Sequence, residues 1–375
     1  MKLKSLALAF CCCLSAAQAF AATKSDVDFS AQDYARYESA LALYKAGDYG
    51  ASLDQLKPLA EKGLPEAQFR LGLIYYTGSG VARDFIQAAD WISRAAGQDY
   101  PSAQVVYGLM HERGDHVPQD WLRAVELYKA AAAQDRPDAQ TILARRYELP
   151  RGVEQDYPQA VEYYKDAVAS GYAPAKYYFG LMRLEGVGIE KSAERGAALV
   201  REAADAGFVP AMFSLGQLYA FGPEVKQDCR MAMDYMLKAS SAGYAAAFHG
   251  LGRLYAEGVC VGKDMDKGMA FMEEAARKGS SGAQYWLARA YERGKGVPKS
   301  IFKAYVWYAI TARRSGITAE GDKAREAVMQ LEDRLKPETV RRARREAEAF
   351  KESSLADDDD VISLLKIYES SAGHR

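Results

Sequence analysis

Apolar positions recur along most of this chain at the three- and four-residue spacing of an amphipathic helix. The stretch AQFRLGLIYYTG, residues 67–78, ends in a glycine that can adopt the positive φ of a helix stop. The next stretch, DFIQAADWISRAAGQ at residues 84–98, has the same spacing, and its first aspartate stands where a side-chain oxygen can cap a helix. The pattern predicts pairs of short helices joined by tight turns.

This pattern returns every 36 residues, so each position has a column number counted from Ala67. Alanine opens seven consecutive lines: Ala67, Ala103, Ala139, Ala175, Ala211, Ala247 and Ala283. Column 6 holds only small residues: Gly72, Gly108, Ala144, Gly180, Gly216, Gly252 and Ala288. Column 18 holds helix-capping residues: Asp84, Asp120, Asp156, Ser192, Asp228, Asp264 and Ser300. Residues 67–318 therefore form one array of seven repeats.

A single helix pair cannot bury its own apolar face, so consecutive pairs must stack. Residues 34–66 predict one earlier helix pair, with Lys45, Ala46, Gly47 and Asp48 in place of the longer glycine turn. Residues 319–352 predict two further helices, separated at Lys336 and Pro337. The second of them, RRARREAEAF, is strongly charged and is interpreted as a terminal cap with a solvated outer face.

The repeated columns read A-x-x-x-L-G-x-x-Y-x-x-G-x-G-V-x-x-D-x-x-x-A-x-x-W-x-x-x-A-A. They resemble the Sel-one-like repeat family, a relative of the tetratricopeptide repeats. The resemblance implies an all-α fold, a right-handed α/α solenoid of about eight helix-turn-helix repeats with a C-terminal helical cap. Arg183 and Ser192 in the fourth line and Pro150 in the third depart from it, so those pairs are expected to be distorted or specialised.

The overall charge gives no reason to expect nucleic acid or an anionic membrane as a partner. Forty-nine basic residues nearly balance 50 acidic ones in a chain of 375 residues, for a formal net charge of −1.

The N-terminus has the features of a secretory signal peptide. Lys2 and Lys4 precede the apolar run LALAFCCCL and the small residues AAQAFAA, so residues 1–21 are predicted to be removed near Ala19 to Ala22. The apolar run is shorter than the roughly 20 residues that a membrane span needs. The sequence thus predicts a periplasmic or secreted protein with no transmembrane segment in the mature chain.

The tail, residues 353–375, joins four aspartates to the apolar stretch VISLLKIY. Two interpretations remain open for this segment. It is either disordered without a role, or it forms a short helix that docks on the array or on a partner.

After signal removal the mature chain keeps only Cys229 and Cys260. Cys229 stands at the start of a second helix and Cys260 in the turn of the next line. Stacked repeats bring consecutive turns together, and an exported protein meets conditions that permit disulfides. A disulfide between them and two separate thiols both remain open.

The stretch HERGDH, residues 111–116, is the one candidate metal site. His111 and His116 are five residues apart, whereas the helical zinc motif needs a spacing of four. In the register His111 replaces the tyrosine of column 9 and His116 a turn glycine. We therefore expect His111 to be a partly buried, hydrogen-bonded packing residue, and we predict neither a metal nor a cofactor.

By resemblance to tetratricopeptide arrays, columns 3, 7 and 10 of the first helices line a concave groove. The predicted partner-binding residues are Phe69, Leu73, Tyr76, Val105, Leu109, Glu112, Arg145, Tyr177, Leu181, Leu184, Phe213, His249, Arg253, Tyr285 and Arg289. An apolar stripe of this kind either binds a partner or serves packing and curvature.

The resemblance implies a periplasmic scaffold or adaptor that binds a protein or peptide, in cell-envelope assembly, polysaccharide export or signalling regulation. The alternative is a secreted cell-wall-directed enzyme or a host-interacting virulence factor. Two groove pairs, Arg145 with Glu148 and Arg289 with Glu292, are three residues apart and are expected to be surface salt bridges rather than catalytic groups. We therefore predict a binding protein and not an enzyme.

Overall fold

The computed structural model describes residues 28–150, 152–223, 225–314 and 318–350. These residues contain eighteen α-helices and no strand, which confirms the all-α prediction. No helix among them is long and apolar enough to cross a bilayer. The signal peptide at residues 1–21 and the tail from residue 353 lie outside the described residues.

Two compact units divide the chain, the first ending at Gln134 and the second beginning at Asp135. The first unit contains α1 Ala31–Lys45, α2 Tyr49–Lys62, α3 Pro65–Thr77, α4 Phe85–Gly97, α5 Pro101–Arg113 and α6 Trp121–Ala132. The second contains α7 Pro137–Glu148, α8 Tyr157–Ala169, α9 Ala173–Glu185, α10 Ala193–Asp205, α11 Val209–Phe221, α12 Cys229–Ser241, α13 Ala245–Glu257, α14 Met265–Arg277, α15 Ser281–Arg293, α16 Ile301–Arg314, α17 Ala319–Glu332 and α18 Pro337–Ala349. Odd-numbered helices from α3 to α15 are the first helices of the repeats, and the even-numbered helices that follow them are the second.

Column 18 caps every second helix, as the sequence predicts. The Arg123 backbone N–H donates to Asp120 Oδ1 at 2.9 Å, and the Arg195 N–H donates to Ser192 Oγ at 3.4 Å. The same bond recurs at Asp84, Asp156, Asp228, Asp264 and Ser300. Each cap satisfies a backbone donor that has no partner within the helix.

The small residue of column 6 lies where the two helices of a repeat touch. A Cβ added to Gly216 on α11 would stand 2.8 Å from Met236 Cγ and 3.2 Å from the Ala232 carbonyl oxygen on α12. Gly72, Gly180 and Gly252 make equally close approaches to their own second helices. The first helix can therefore press its backbone directly against its partner, which a larger residue would prevent.

A second contact inside the repeat joins column 10 to column 26. In three repeats a tyrosine hydroxyl donates to a glutamate: Tyr128 to Glu112 at 3.0 Å, Tyr164 to Glu148 at 2.9 Å and Tyr308 to Glu292 at 2.9 Å. In the fourth, fifth and sixth repeats both columns are apolar, as with Leu184 and Val200. The polar and apolar pairs thus occupy the same place in the repeat. The polar pair is hydrogen-bonded internally, and the apolar pair has no polar side-chain group that needs a partner.

Neighbouring repeats meet where the turn at column 14 packs on column 19 of the preceding second helix. A Cβ on Gly80 would stand 2.2 Å from Tyr49 Cβ, and one on Gly188 would stand 2.3 Å from Tyr157 Cβ. Gly80 and Gly188 also have positive φ angles of 75° and 64°. Glycine fits this column both for its backbone conformation and for the lack of space.

Cys260 occupies this column in the sixth repeat, with a φ of 63°, and forms a disulfide with Cys229 at column 19 of the fifth. The two Cα atoms are 4.8 Å apart. A covalent bond here takes the place of the glycine contact found in other repeats. Because it closes a loop of about thirty residues, we expect it to stabilise the fold by roughly 3 to 4 kcal/mol.

Two turns depart from the repeat, and both contain proline. The helix α7 ends before Pro150 with Leu149 at a φ of −115°, and α11 ends before Pro223 with Gly222 at −70°, whereas the other first helices end on a left-handed glycine. The fourth repeat, expected to be distorted by Arg183 and Ser192, instead ends its first helix on left-handed Gly186 and caps its second with Ser192. The expected distortion of the fourth repeat is therefore wrong, because serine caps the second helix with the same N-cap geometry as aspartate.

The last two helices pack on α16. Val340, Ala343 and Ala347 of α18 are buried there, while most of its charged residues face outward. Glu332 of α17 accepts hydrogen bonds from Tyr305 of α16 and from Arg344 of α18, the latter at 2.6 Å. Burial of Tyr305 and its bond to Glu332 raise the pKa of the phenol.

The Glu148–Tyr164 bond can be tested by Tyr164→Phe. The change leaves a half-buried carboxylate without its donor, so the free energy of unfolding should fall by about 1 to 2 kcal/mol in urea denaturation. The control Tyr147→Phe, in a ring that stacks on Tyr163 at 6.0 Å, should change it by less than about 0.5 kcal/mol.

The double variant Glu148→Leu, Tyr164→Phe imitates the apolar pair of Leu184 and Val200. It should recover at least half of the loss, because removing both polar partners leaves no unsatisfied group. A double variant less stable than Tyr164→Phe would contradict this account of the pair.

Candidate functional site

The stretch HERGDH forms the end of α5 and the turn that follows it. His116 has a φ of 59° at the glycine column, and its ring stacks on Phe85 at column 19 with centroids 3.9 Å apart. Its Nε2 lies 3.2 Å from Asp115 Oδ1, and Asp115 also accepts a hydrogen bond from Tyr76. The contact with Phe85 is therefore the same contact between repeats that glycine makes elsewhere.

The other members of the stretch also have structural partners. His111 Nδ1 donates to the Pro118 carbonyl at 3.1 Å, and its ring packs edge-on against Tyr107. Glu112 is buried and accepts the hydroxyl of Tyr128. Within the described residues no group of three or more histidines, cysteines or carboxylates could hold a metal ion.

The fifteen predicted groove residues differ widely in exposure. Six of them are buried: Phe69, Leu73, Val105, Leu109, Glu112 and Leu184. Eight are half-buried: Tyr76, Arg145, Tyr177, Leu181, Phe213, His249, Arg253 and Tyr285. Arg289 is exposed. The accessible part of the predicted groove therefore lies mainly in the second unit, on α9, α11, α13 and α15.

Column 3 serves packing between repeats. The Tyr177 ring lies 5.4 Å from that of Phe208, and the Phe213 ring lies 5.6 Å from that of Tyr244, each at the start of the next first helix. The Tyr177 hydroxyl also bonds Ser214 Oγ at 3.0 Å. Replacing such a residue with a charge would disturb the stack itself.

Column 7 is different, because three of its residues line one cavity of about 430 Å³ in the second unit. The cavity lies between α9, α11 and α13, and its lining consists of Leu181, Ser214, Gln217, Leu218, Phe221, Gly222 and Arg253. Leu181, Gln217 and Arg253 are the predicted column-7 positions of three successive repeats. We call these seven residues the groove pocket.

The groove pocket combines an apolar floor with one cation. The Arg253 guanidinium lies 5.2 Å from the centroid of the Phe221 ring, and its Nε lies 3.3 Å from Glu257 Oε1. Phe221 is 42% exposed, although phenylalanine is among the residues most often buried. A surface of this kind suits an apolar side chain next to a carboxylate.

Sequence reasoning missed Ser214, Leu218, Phe221 and Gly222. Phe221 stands at column 11, where five of the other six repeats have threonine, arginine or glutamate. It is presented outward by the turn of Gly222 and Pro223, just as Leu149 is exposed before Pro150. An apolar residue at column 11 followed by a proline turn is the signal that could have found it.

The first unit has a larger cavity, of about 690 Å³, but its polar groups bond across the repeats. Gln98 Nε2 donates to Gln68 Oε1 at 2.7 Å, and Gln68 Nε2 donates to the Ala60 carbonyl at 3.1 Å. Arg94 and Arg123 of its lining pair with carboxylates on their own helices. These contacts indicate a role in repeat stacking.

The two arginine–glutamate pairs have other main partners than the sequence suggests. The Arg145 guanidinium lies 4.0 Å from the centroid of the Tyr178 ring, and that of Arg289 lies 5.9 Å from Tyr285. Glu148 and Glu292 accept tyrosine hydroxyls, and burial together with these bonds raises the pKa of Tyr164 and Tyr308. The expectation of salt bridges is wrong, because each glutamate turns inward to column 26.

The fold and the repeated first-helix surface define a helical repeat protein. The Sel1 repeat model matches seven consecutive segments, residues 65–100, 101–135, 137–172, 173–208, 209–244, 245–280 and 281–315. The chain belongs to the Sel1 repeat family, and proteins of this family generally mediate protein–protein interactions.

Solved structures include similar chains. A Sel1 repeat protein from Oxalobacter formigenes is 29% identical, with a TM-score of 0.60 over 64% of this chain and 99% of that one. A protective antigen of uropathogenic Escherichia coli with an SLR fold is 22% identical, with a TM-score of 0.36 over 92% of this chain and 88% of that one. An immunity protein from Pseudomonas aeruginosa is 23% identical, with a TM-score of 0.41 over 62% and 81%. Among curated proteins no match was found.

His249 lies at column 3 beside the groove pocket, and from its surroundings we expect a pH dependence of stability. Its ring packs against α15, where a Cβ on Gly282 would stand 2.8 Å from His249 Cε1. Burial, and then the nearby Arg253, lower the pKa of His249 to about 4, although Glu257 acts in the opposite direction. The folded state therefore keeps this imidazole neutral at pH values where an unfolded chain would protonate it.

Stability should fall as the pH drops from about 6.5 towards 4, because only the unfolded state binds the proton over that range. Between pH 7 and pH 5 the loss due to His249 should be about 2 kcal/mol. It is measured as the difference in unfolding free energy between wild type and His249→Phe, a residue that column 3 already holds at Phe213. A difference that does not change between the two pH values would show that the imidazole titrates normally.

Proposed function

We propose that this protein is an exported scaffold whose groove pocket binds a peptide segment of a protein partner in the cell envelope. The observation on which the proposal rests is the exposed ring of Phe221, which lines one cavity with the half-buried Leu181, Leu218 and Arg253. Aromatic residues and arginine are enriched at protein–protein interfaces, so Phe221 beside Arg253 is a surface of the kind that binds a partner.

The shape of the pocket favours a short linear segment over a broad protein face. A cavity of about 430 Å³ has room for one or two large side chains, and it lies between three consecutive first helices. Because the three helices present the same column, a segment that crosses them meets an equivalent position in each repeat. The partner we expect has an apolar residue followed or preceded by an acidic one.

Export is supported by the charged and apolar pattern of residues 1–21, which lie outside the described residues. The disulfide between Cys229 and Cys260 also suits an oxidising compartment. The pathways implied by the family resemblance, envelope assembly, polysaccharide export and signalling regulation, all remain candidates for this scaffold.

The export proposal predicts the mass of the mature chain. Periplasmic fractions released by osmotic shock should contain a protein whose first residue falls within residues 20–23, as read by intact mass and N-terminal sequencing. Replacing Leu6 and Leu8 with arginine should hold the uncut chain in the cytoplasm. A periplasmic protein that still begins at Met1 would contradict the cleavage, and an uncut cytoplasmic wild type would contradict export.

The binding proposal is tested by replacing the exposed member of the pocket, Phe221→Glu, and by Leu181→Glu as a second variant. Each places a carboxylate on the apolar floor and should weaken capture of the envelope partner at least about tenfold. Leu237→Glu is the matched control, because Leu237 is 44% exposed on α12, away from the pocket.

Tagged full-length variants are mixed with envelope extract, and bound proteins are quantified by mass spectrometry. The supporting result is at least one protein that wild type and Leu237→Glu retain equally and that both pocket variants lose. Circular dichroism melting establishes that each variant is folded. If folded Phe221→Glu retains the same proteins in the same amounts as wild type, the pocket is not the binding site.

A further inference from the structure

The groove changes character along the second unit, from apolar at α9 and α11 to basic at α13 and α15. Leu181, Leu218 and Phe221 form the apolar part, and Arg253 begins the basic part. On α15 a smaller cavity of about 150 Å³ is lined by Trp286, Arg289, Ala290, Arg293 and Lys295. Contact between His249 and Gly282 joins α13 directly to α15, so the two parts are neighbours.

The basic part has few counter-charges of its own. Arg253 is half-exposed and shares one carboxylate, that of Glu257. Among the described residues, none of the ion pairs involves Arg289, Arg293 or Lys295. Three cations on two adjacent first helices, together with Lys295 in the turn after α15, therefore have a single acidic partner in ion pairs, which favours an acidic ligand.

One segment of this chain has the complementary pattern. Residues 356–367 read ADDDDVISLLKI, with four consecutive aspartates followed by valine, isoleucine and two leucines. The segment lies outside the described residues, and it follows α18, which packs on α16 next to α15. A chain that leaves α18 and enters the groove meets the basic part first and the apolar part second. The acidic half of the segment therefore meets the basic part of the groove, and its apolar half meets the apolar part.

The length of the segment also fits. Neighbouring packed helices are about 8 to 10 Å apart, so the four first helices from α15 to α9 extend over roughly 30 Å. Twelve extended residues reach up to about 40 Å, and the residues between α18 and the aspartates add roughly 20 Å more. The segment is therefore long enough to extend from the end of α18 along the groove to the groove pocket.

We propose that residues 356–367 bind this groove in the same molecule, with the aspartates at Arg253, Arg289, Arg293 and Lys295 and the apolar side chains in the groove pocket. The proposal rests on the proposed function, since it names an occupant of the same site. A tethered segment has an effective concentration in the millimolar range, so even a dissociation constant of about 100 µM keeps the site mostly filled. An external partner must then displace the tail, which lowers its apparent affinity by roughly tenfold.

The test uses the full-length protein with p-benzoylphenylalanine in place of Leu364. Irradiation of the purified protein should crosslink residue 364 to peptides of α9 or α11, identified by mass spectrometry, and the product should run as a monomer in a denaturing gel. The double variant Arg253→Glu, Arg289→Glu should reduce this crosslink at least about fivefold, and so should salt near 1 M.

The matched control is Arg195→Glu with Arg230→Glu, which reverses two exposed charges on second helices of the same unit and should leave the crosslink unchanged. Crosslinks that map elsewhere in wild type, or that survive the Arg253 and Arg289 reversal, would overturn the proposal. Covalent dimers through the same peptides would also overturn it, because they would show exchange between two copies.

The outcome can be separated from that of the proposed function. If the crosslink fails but Phe221→Glu loses partner capture, the tail is rejected as the occupant and the pocket is kept as a binding site. If residue 364 crosslinks to the groove but Phe221→Glu loses no partner, the tail is supported as the occupant and the proposed scaffold function is rejected.

Discussion

The contact between consecutive helix pairs is the interaction on which each unit depends. One pair of thirteen-residue helices exposes an apolar face that only the next pair can cover. The chain makes that contact at fixed places, where column 14 meets column 19 and where a first helix meets the start of the next. Because these places recur every 36 residues, repeats of different sequence stack through equivalent contacts.

The same geometry accepts different chemistry from one repeat to the next. Glycine on tyrosine, histidine stacked on phenylalanine and a disulfide all occupy the contact between columns 14 and 19. Within a repeat, a glutamate bonded to a tyrosine and a pair of apolar residues fill the same space. Residues such as His116, Glu112 and Cys260 look functional when considered alone, but the position each holds in the repeat explains their structural role.

The sequence predicted most of the fold and only part of the site. Periodicity identified the helix pairs, the caps and the small residues of column 6, because these depend on local spacing within one repeat. Exposure depends on what the neighbouring repeats supply: Leu73 is 1% exposed, whereas Leu181, at the same column, is half-buried and lines a cavity. Phe221 was missed for a related reason, since the turn at Gly222 and Pro223 determines where its ring points.

In the proposed function, a partner binds the first helices of the second unit and not the second helices. Hydrogen–deuterium exchange of the full-length protein, with and without a partner purified by capture, measures this directly. If the proposal is right, exchange slows in α9, α11 and α13, centred on residues 178–185 and 214–222, with α10, α12 and α14 unchanged. Protection confined to the second helices, or to the first unit, would contradict it.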